Sequence, residues 1–167
     1  MIKQFVPSDY CLHCQGCCRY LKDDSVWAPC LLDEEIQELL DRKGLPAIVL
    51  SQQKRLCLVA HPEGKDGFIC PLLVIPDNTC RIYDSRPFEC QLYPFLLNLR
   101  GKKVVLTVDL NCPYVRERAQ SGEFKAYAEY IAAFLNTPAQ ITRLKNNPHI
   151  LAAYEDVAEI IELDLAK

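Results

Sequence analysis

The run Cys11-Leu12-His13-Cys14-Gln15-Gly16-Cys17-Cys18 sets four thiols within eight residues. A loop with ligands at two-residue spacing can wrap three sulfurs around one centre, and Gly16 helps it bend. A C-x2-C-x2-C run also opens the bacterial ferredoxin motif, whose thiolates hold an iron–sulfur cluster tuned by hydrogen bonds to its sulfurs. The adjacent pair Cys17-Cys18 departs from that spacing. Neighbouring side chains of an extended segment point to opposite sides, which leaves the two sulfurs open to serving different metal centres.

A single ion or a cubane cluster takes four ligands, so three from the N-terminal loop leave at least one to be supplied downstream. Cys70-Pro71, Cys80, Cys90 and Cys112-Pro113 are the candidates, each embedded in turn chemistry. Pro follows two of them, Pro76-Asp77-Asn78 precedes Cys80, and Arg86-Pro87 precedes Cys90. The C-P dipeptides are again like ferredoxin ligands. Eight thiols suffice for two four-ligand sites or for one site with spare cysteines, and spacing leaves both open.

Other residues are read more plainly. Cys30 and Cys57 have apolar neighbours and are expected in the core. His13 lies between two ligand positions and is expected to point outward, while His61 and His149 have no partner pattern. Arg86 has two readings of equal weight: a donor to cluster sulfurs that offsets thiolate charge, or an ion pair with Asp84 or Glu89. Tyr83 and Tyr93 are read as packing. Asp33, Glu34, Glu35 and Glu38 fall on one predicted helix and are expected to form a solvated face. The chain has no Ser-His-Asp order, no H-E-x-x-H helix and no P-loop, so no hydrolytic site is expected.

The elements that must position these thiols are short. Apolar Leu32, Ile36, Leu39 and Leu40 predict a helix over 32–42, with Asp33 as N-cap and Gly44 as stop. From Arg55 to Tyr83, apolar runs broken by Pro62, Gly64, Gly67, Pro76 and Asn78 predict short strands and turns. Phe95 to Leu99 and Val104 to Leu110 flank a polar turn containing Gly101 and predict a hairpin. Ser121 caps a predicted helix to about Asn136, Thr137-Pro138 restarts it, and a last helix is expected from about Pro148 to Leu163. The expected fold is α+β: a small, irregular, cysteine-rich metal-binding body with short strands and a hairpin, plus a helical C-terminal third. It is expected as one domain over 1–167, with the cysteine core at 11–113 and the helical part at 119–167.

Composition narrows the function. The chain has 167 residues, ten of them cysteine, and a net charge of -3. Without a basic footprint, nucleic acid is not an expected partner. No apolar stretch approaches the roughly 20 residues of a membrane span. Residues 1–10 lack a secretory core, so a cytoplasmic, reducing location is expected. Bunched thiols there are read as metal ligands rather than disulfides.

In order and local context these motifs resemble the YkgJ-type cysteine-cluster family, a zinc- or iron-chelating CxxCxxCC domain. The resemblance rests on Cys11-x2-Cys14-x2-Cys17-Cys18, Cys70-Pro71-Leu72-Leu73, Cys80-Arg81-Ile82-Tyr83, Arg86-Pro87-Phe88-Glu89-Cys90 with Tyr93-Pro94-Phe95, and Cys112-Pro113. It covers about residues 11 to 113 and implies metal binding by those eight cysteines. Some members carry a flagellin lysine N-methylase label, but this chain has no G-x-G loop after a strand to cradle adenosylmethionine.

Two functional classes follow. One is a protein holding one or two iron–sulfur clusters, most simply 4Fe-4S, for electron transfer or metal handling with a redox protein as partner. The other is a structural zinc module, since four cysteines close a tetrahedral zinc site. An enzyme with an open coordination position acting as a Lewis acid is a third, lesser class.

Overall fold

The computed structural model describes residues 2–42 and 47–165. Contacts divide the chain into two compact units, Pro7–Gln91 and Met1–Val6 with Leu92–Lys167. The boundary falls inside the span expected to hold the cysteine core.

The cysteine-rich unit, Pro7–Gln91, is built from very short elements. Helix α1, Ser8–His13, is followed by strand β1, Arg19–Tyr20, and helix α2, Asp33–Leu40. Strands β2, Val59–Ala60, β3, Phe68–Ile69, β4, Leu73–Val74, and β5, Thr79–Cys80, come next. A 3-10 turn at Tyr83–Ser85 leads into helix α3, Phe88–Leu92. The small antiparallel sheets are β1-β3-β2 and β4-β5. Leu31, Leu39, Leu56, Ile69, Cys70, Leu72, Leu73 and Ile82 form the apolar core, with Cys18, Tyr20 and Cys80 packed against it. The core therefore includes, or touches, three of the candidate ligands.

Helix α2 forms where the apolar spacing predicts, but its N-cap is Leu32, one residue before the expected Asp33. Leu32 has no polar side-chain atom, so the turn is closed from the other direction: the Glu35 carboxylate accepts from the Leu32 N–H at 3.0 Å. Its second oxygen accepts from the Phe88 N–H at 2.7 Å. Glu35 is thus half-buried and ties α2 to the start of α3, which corrects its assignment to a solvated face. The expected stop, Gly44, lies outside the described residues.

The second unit has a regular sheet. Strands β6, Phe95–Arg100, and β7, Lys103–Val108, form the predicted hairpin in unbroken register from Phe95 opposite Val108 to Arg100 opposite Lys103. Gly101, at φ 62, opens its two-residue turn, a backbone state that glycine adopts without a Cβ penalty. Helix α4, Pro113–Arg118, starts at Cys112 with Pro113 in its first turn, where a missing N–H costs nothing. Helix α5, Gly122–Leu135, is capped as predicted by Ser121, whose hydroxyl accepts from the Phe124 N–H at 3.0 Å. Helix α6, Pro138–Asn146, restarts after Thr137. Phe5 packs edge-on against Phe95, Tyr114 and Phe124, tying the N-terminal strand of chain into this core.

One expected element is absent. Instead of a helix over 148–163 there is a 3-10 turn, Pro148–Ile150, and a strand β8, Ala158–Glu162, which adds to β7 with a bulge between Leu106 and Thr107. Asn98, fully buried, explains the route: its side-chain amide donates to the Tyr154 carbonyl at 3.0 Å, and its oxygen accepts from the Tyr154 N–H at 3.1 Å. Asp156 then adopts φ 57, a left-handed state that ends any helix. The β-branched pair Ile160-Ile161 suits the strand that follows. Tertiary pairing overrides the apolar spacing that predicted a helix.

Candidate metal centre

Seven of the eight candidate ligands belong to the cysteine-rich unit, and Cys112 belongs to the other. Among the described residues none of the eight is in a disulfide.

The first run is not one loop. Cys11 sits in α1, Cys14 is its C-terminal cap and Cys17 and Cys18 form a turn before β1. Cys14 donates its N–H to the Tyr10 carbonyl at 3.1 Å, so the thiols of Cys11 and Cys14 are set by a helix end. His13 lies on that same helix and its Nδ1 contacts the Asp9 carbonyl at 2.7 Å. Cys17 and Cys18 lie in a turn, not in the extended segment expected. The adjacent Cys18 thiol lowers Cys17 to about 7 against the opposing effect of burial, helped by its own backbone N–H and by Arg86 and Arg19. The Cys17 thiol, with burial and neighbouring thiol charge, pushes Cys18 well up.

Strand pairing brings in the next thiols. Arg19 and Tyr20 of β1 face Ile69 and Phe68 of β3. One step beyond the ladder, the Cys70 N–H donates to the Cys18 carbonyl at 3.1 Å. Cys80 on β5 faces Leu73 of β4, three residues after Cys70. Cys90 follows on α3. Charge on Cys70 and Cys90 is felt at Cys18, and charge on Cys17 is felt at Cys70, Cys80 and Cys90. These five thiols therefore form one electrostatic neighbourhood.

The Leu73 N–H donates to the Cys70 carbonyl at 3.0 Å. The backbone amides of Leu72 and Leu73 after Cys70, and of Ile82 after Cys80, favour the thiolate form of the two cysteines. Burial works against ionisation: it raises Cys70 to about 11, and raises Cys80 and, most strongly, Cys90. A cation is the natural counterweight, since a coordinating thiol is deprotonated outright.

Two residues missed in the sequence hold the frame. The Asn78 side-chain amide donates to the carbonyls of Leu12 at 2.8 Å and Cys14 at 2.9 Å and lies 3.4 Å from that of Cys11, while its oxygen accepts from Arg19 at 2.8 Å. Tyr20 donates its hydroxyl to the Cys17 carbonyl at 3.1 Å. The Pro76-Asp77-Asn78 turn signal marked the position of Asn78 but not its reach. Arg86 stacks on the Tyr83 ring at 3.9 Å, its Nε is buried without a hydrogen-bond partner among the described residues, and Glu89 pairs with Arg55 at 3.7 Å. Outside the pattern, Cys30 is fully buried with its thiol 3.4 Å from the Gln53 carbonyl, and Cys57 lies between Leu56 and the buried Leu58.

Among the described residues no three histidine, cysteine, aspartate or glutamate side chains are already gathered closely enough to hold a metal ion. The donor chemistry nonetheless fits one. Soft sulfurs share one neighbourhood, and a guanidinium N–H nearby has no partner among the described residues. Binding would then couple thiol deprotonation to inward movement of side chains.

The unit sets its thiols on helix ends, minimal strands and the turns between them. The CxxCxxCC family model, described as "Putative zinc- or iron-chelating domain", matches residues 10–113. The chain belongs to that family. No curated protein and no solved structure matches it. Among the described residues no helix is long and apolar enough to cross a membrane.

Proposed function

We propose that the protein is an iron–sulfur protein whose cluster is held by thiols of the cysteine-rich unit, Cys11, Cys14, Cys17, Cys18, Cys70, Cys80 and Cys90, and that it serves electron transfer or metal handling with a redox protein as partner. Cys112 enters this ligand set only through the family pattern. The observation that carries the reading is the convergence of Cys18, Cys70 and Cys80 on one apolar core, with the Cys70 N–H donating to the Cys18 carbonyl at 3.1 Å. Hydrogen bonds to cluster sulfurs are a main lever on cluster potential. A bound cluster would supply one-electron chemistry. The protein's part is to deprotonate and orient the sulfurs and to exclude water with Tyr20 and the apolar core around Cys70.

A second reading, structural zinc, is favoured by one feature. Among the described residues every strand of the cysteine-rich unit is two residues long, too short to be stable without further support. A closed four-cysteine zinc site supplies such support directly.

Elemental analysis and an ultraviolet–visible spectrum of protein purified without oxygen separate the two. Iron with matching sulfide and a broad visible band is the expected result. Colourless protein carrying zinc would overturn the iron–sulfur reading in favour of the second, and protein that takes up neither metal would overturn both.

A further inference from the structure

Arg86 is a charged side chain of the thiol neighbourhood whose buried Nε–H no acceptor satisfies among the described residues. Its backbone is extended, at φ -63 and ψ 151, and leads through Pro87 into α3, which carries Cys90. The Gln91 side chain donates to its carbonyl at 2.8 Å and fixes that entry. The guanidinium stacks on Tyr83 at 3.9 Å, and the Tyr83 hydroxyl lies 2.7 Å from the Ser8 hydroxyl at the start of α1. The stack thus joins the element bearing Cys11 to the element bearing Cys90.

Held this way, the cation is locked at one plane, yet its Nε–H is buried and finds no acceptor among the described residues. A buried unmet donor is costly, more so when charged, so a guanidinium N–H in that state calls for an acceptor. The Cys17 and Cys80 thiols are close enough to feel the Arg86 charge, and four thiolates on one divalent ion leave an excess of negative charge. We infer that Arg86 is a positioning and charge-neutralising residue of the loaded centre, its Nε–H donating to a sulfur, thiolate or sulfide, that becomes anionic when metal binds. The inference rests on the chelation reading above but does not depend on which metal is bound.

The test uses the full chain loaded with ferrous iron and sulfide, or with Zn2+, and compares the wild type with Arg86→Met and Arg86→Lys. Both variants are expected to bind the wild-type number of metal ions but to lose them to a competing chelator more readily. For Arg86→Met the expected loss of affinity is about 10- to 100-fold, the usual effect of removing an outer partner of a metal ligand. For Arg86→Lys, which keeps the charge but not the planar donor, the loss is smaller but measurable. With an iron–sulfur centre the midpoint potential of Arg86→Met also moves to more negative values, because the lost cation had favoured the reduced, more anionic state. Wild-type affinity and potential in Arg86→Met would overturn the inference while leaving metal binding intact. Should Arg86→Met fail to fold, wild-type retention in Arg86→Lys would overturn it equally. A wild-type chain that binds no metal would instead sink the chelation reading itself.

Discussion

The side-chain amide of Asn78 donates to the carbonyl oxygen of Cys14 at 2.9 Å, across 64 residues of sequence. The same nitrogen reaches the Leu12 carbonyl, so the C-terminal end of α1 is held by a single residue of the β4–β5 turn. Asn78 itself sits at φ 51, a left-handed conformation that asparagine tolerates better than most residues. Asn78→Ala is expected to lose the amide bonds and to add backbone strain, at a combined cost of about 2–4 kcal/mol. Asn78→Gly keeps the permitted φ and loses only the bonds, so it should fall between the two. Thermal melts and metal uptake of the three proteins check this; an Asn78→Ala protein that melts and loads like the wild type would show the clamp to be idle.

A second expectation concerns the ligands. Cys14 ends α1 with its sulfur beside Gly16, where a Cβ would lie 3.5 Å from that sulfur. Cys14→Ser should lose metal and, with it, much of the cysteine-rich unit's stability, because binding energy at such a site is folding energy. Cys57→Ser is the control: Cys57 lies outside the motif pattern, its N–H bonded to the Val49 carbonyl at 2.8 Å, and metal stoichiometry should not change. Elemental analysis of both variants decides, and a full metal complement in Cys14→Ser would refute the ligand assignment.

How far the sequence foretold this arrangement depends on the range of the interactions. The β6–β7 hairpin and the capped helix α5 were legible because each is closed by neighbours within a few residues, Gly101 in one case and Ser121 in the other. The run 148–163 was not, because its fate is set by Asn98, more than fifty residues earlier, and by an open edge of β7. At the centre, the motifs marked Cys17, Cys18, Cys70, Cys80 and Cys90, thiols that the fold brings into one electrostatic neighbourhood. Thiol spacing could not mark the turn at Cys17 and Cys18, where an extended segment was expected. Nor could it show Asn78 or Glu35 as cross-links, since a side chain that bonds distant backbone leaves no periodic trace.

Buried thiols also give the metal-free protein a pH dependence. In the folded chain burial pushes Cys30 and Cys70 up to about 11, whereas in the unfolded chain a thiol ionises near 8.5. Raised folded values mean that this contribution is fully present below about pH 8.5 and is lost as pH rises through about 11. Between those limits the unfolded state holds fewer protons, so stability falls with rising pH, by at most roughly 1.4 kcal/mol per unit for each such thiol. Urea unfolding of metal-free protein between pH 7 and 10.5 should show the decline, and Cys30→Ala should have the shallower slope. Equal slopes in the two proteins would show that Cys30 does not contribute.

The last expectation tests the ladder that sets Cys18 beside Cys70. Gly67 precedes β3 at φ 98, and a Cβ there would lie 2.7 Å from the Tyr20 carbonyl oxygen of β1, a backbone atom that cannot swing aside. Gly64, in the same connection, has φ 69 but nothing within 4 Å of its Cβ position. Gly64→Ala should therefore cost only the left-handed penalty, about 1–2 kcal/mol. Gly67→Ala adds a backbone collision that must part β1 from β3, and with them the Cys70 N–H from the Cys18 carbonyl. It should cost roughly 3 kcal/mol or more and lower metal uptake, whereas Gly64→Ala should load normally once folded. Parallel melts and metal titrations of the two variants read both effects. Equal behaviour would mean that the approach of β3 to β1 is not what holds these two cysteines together.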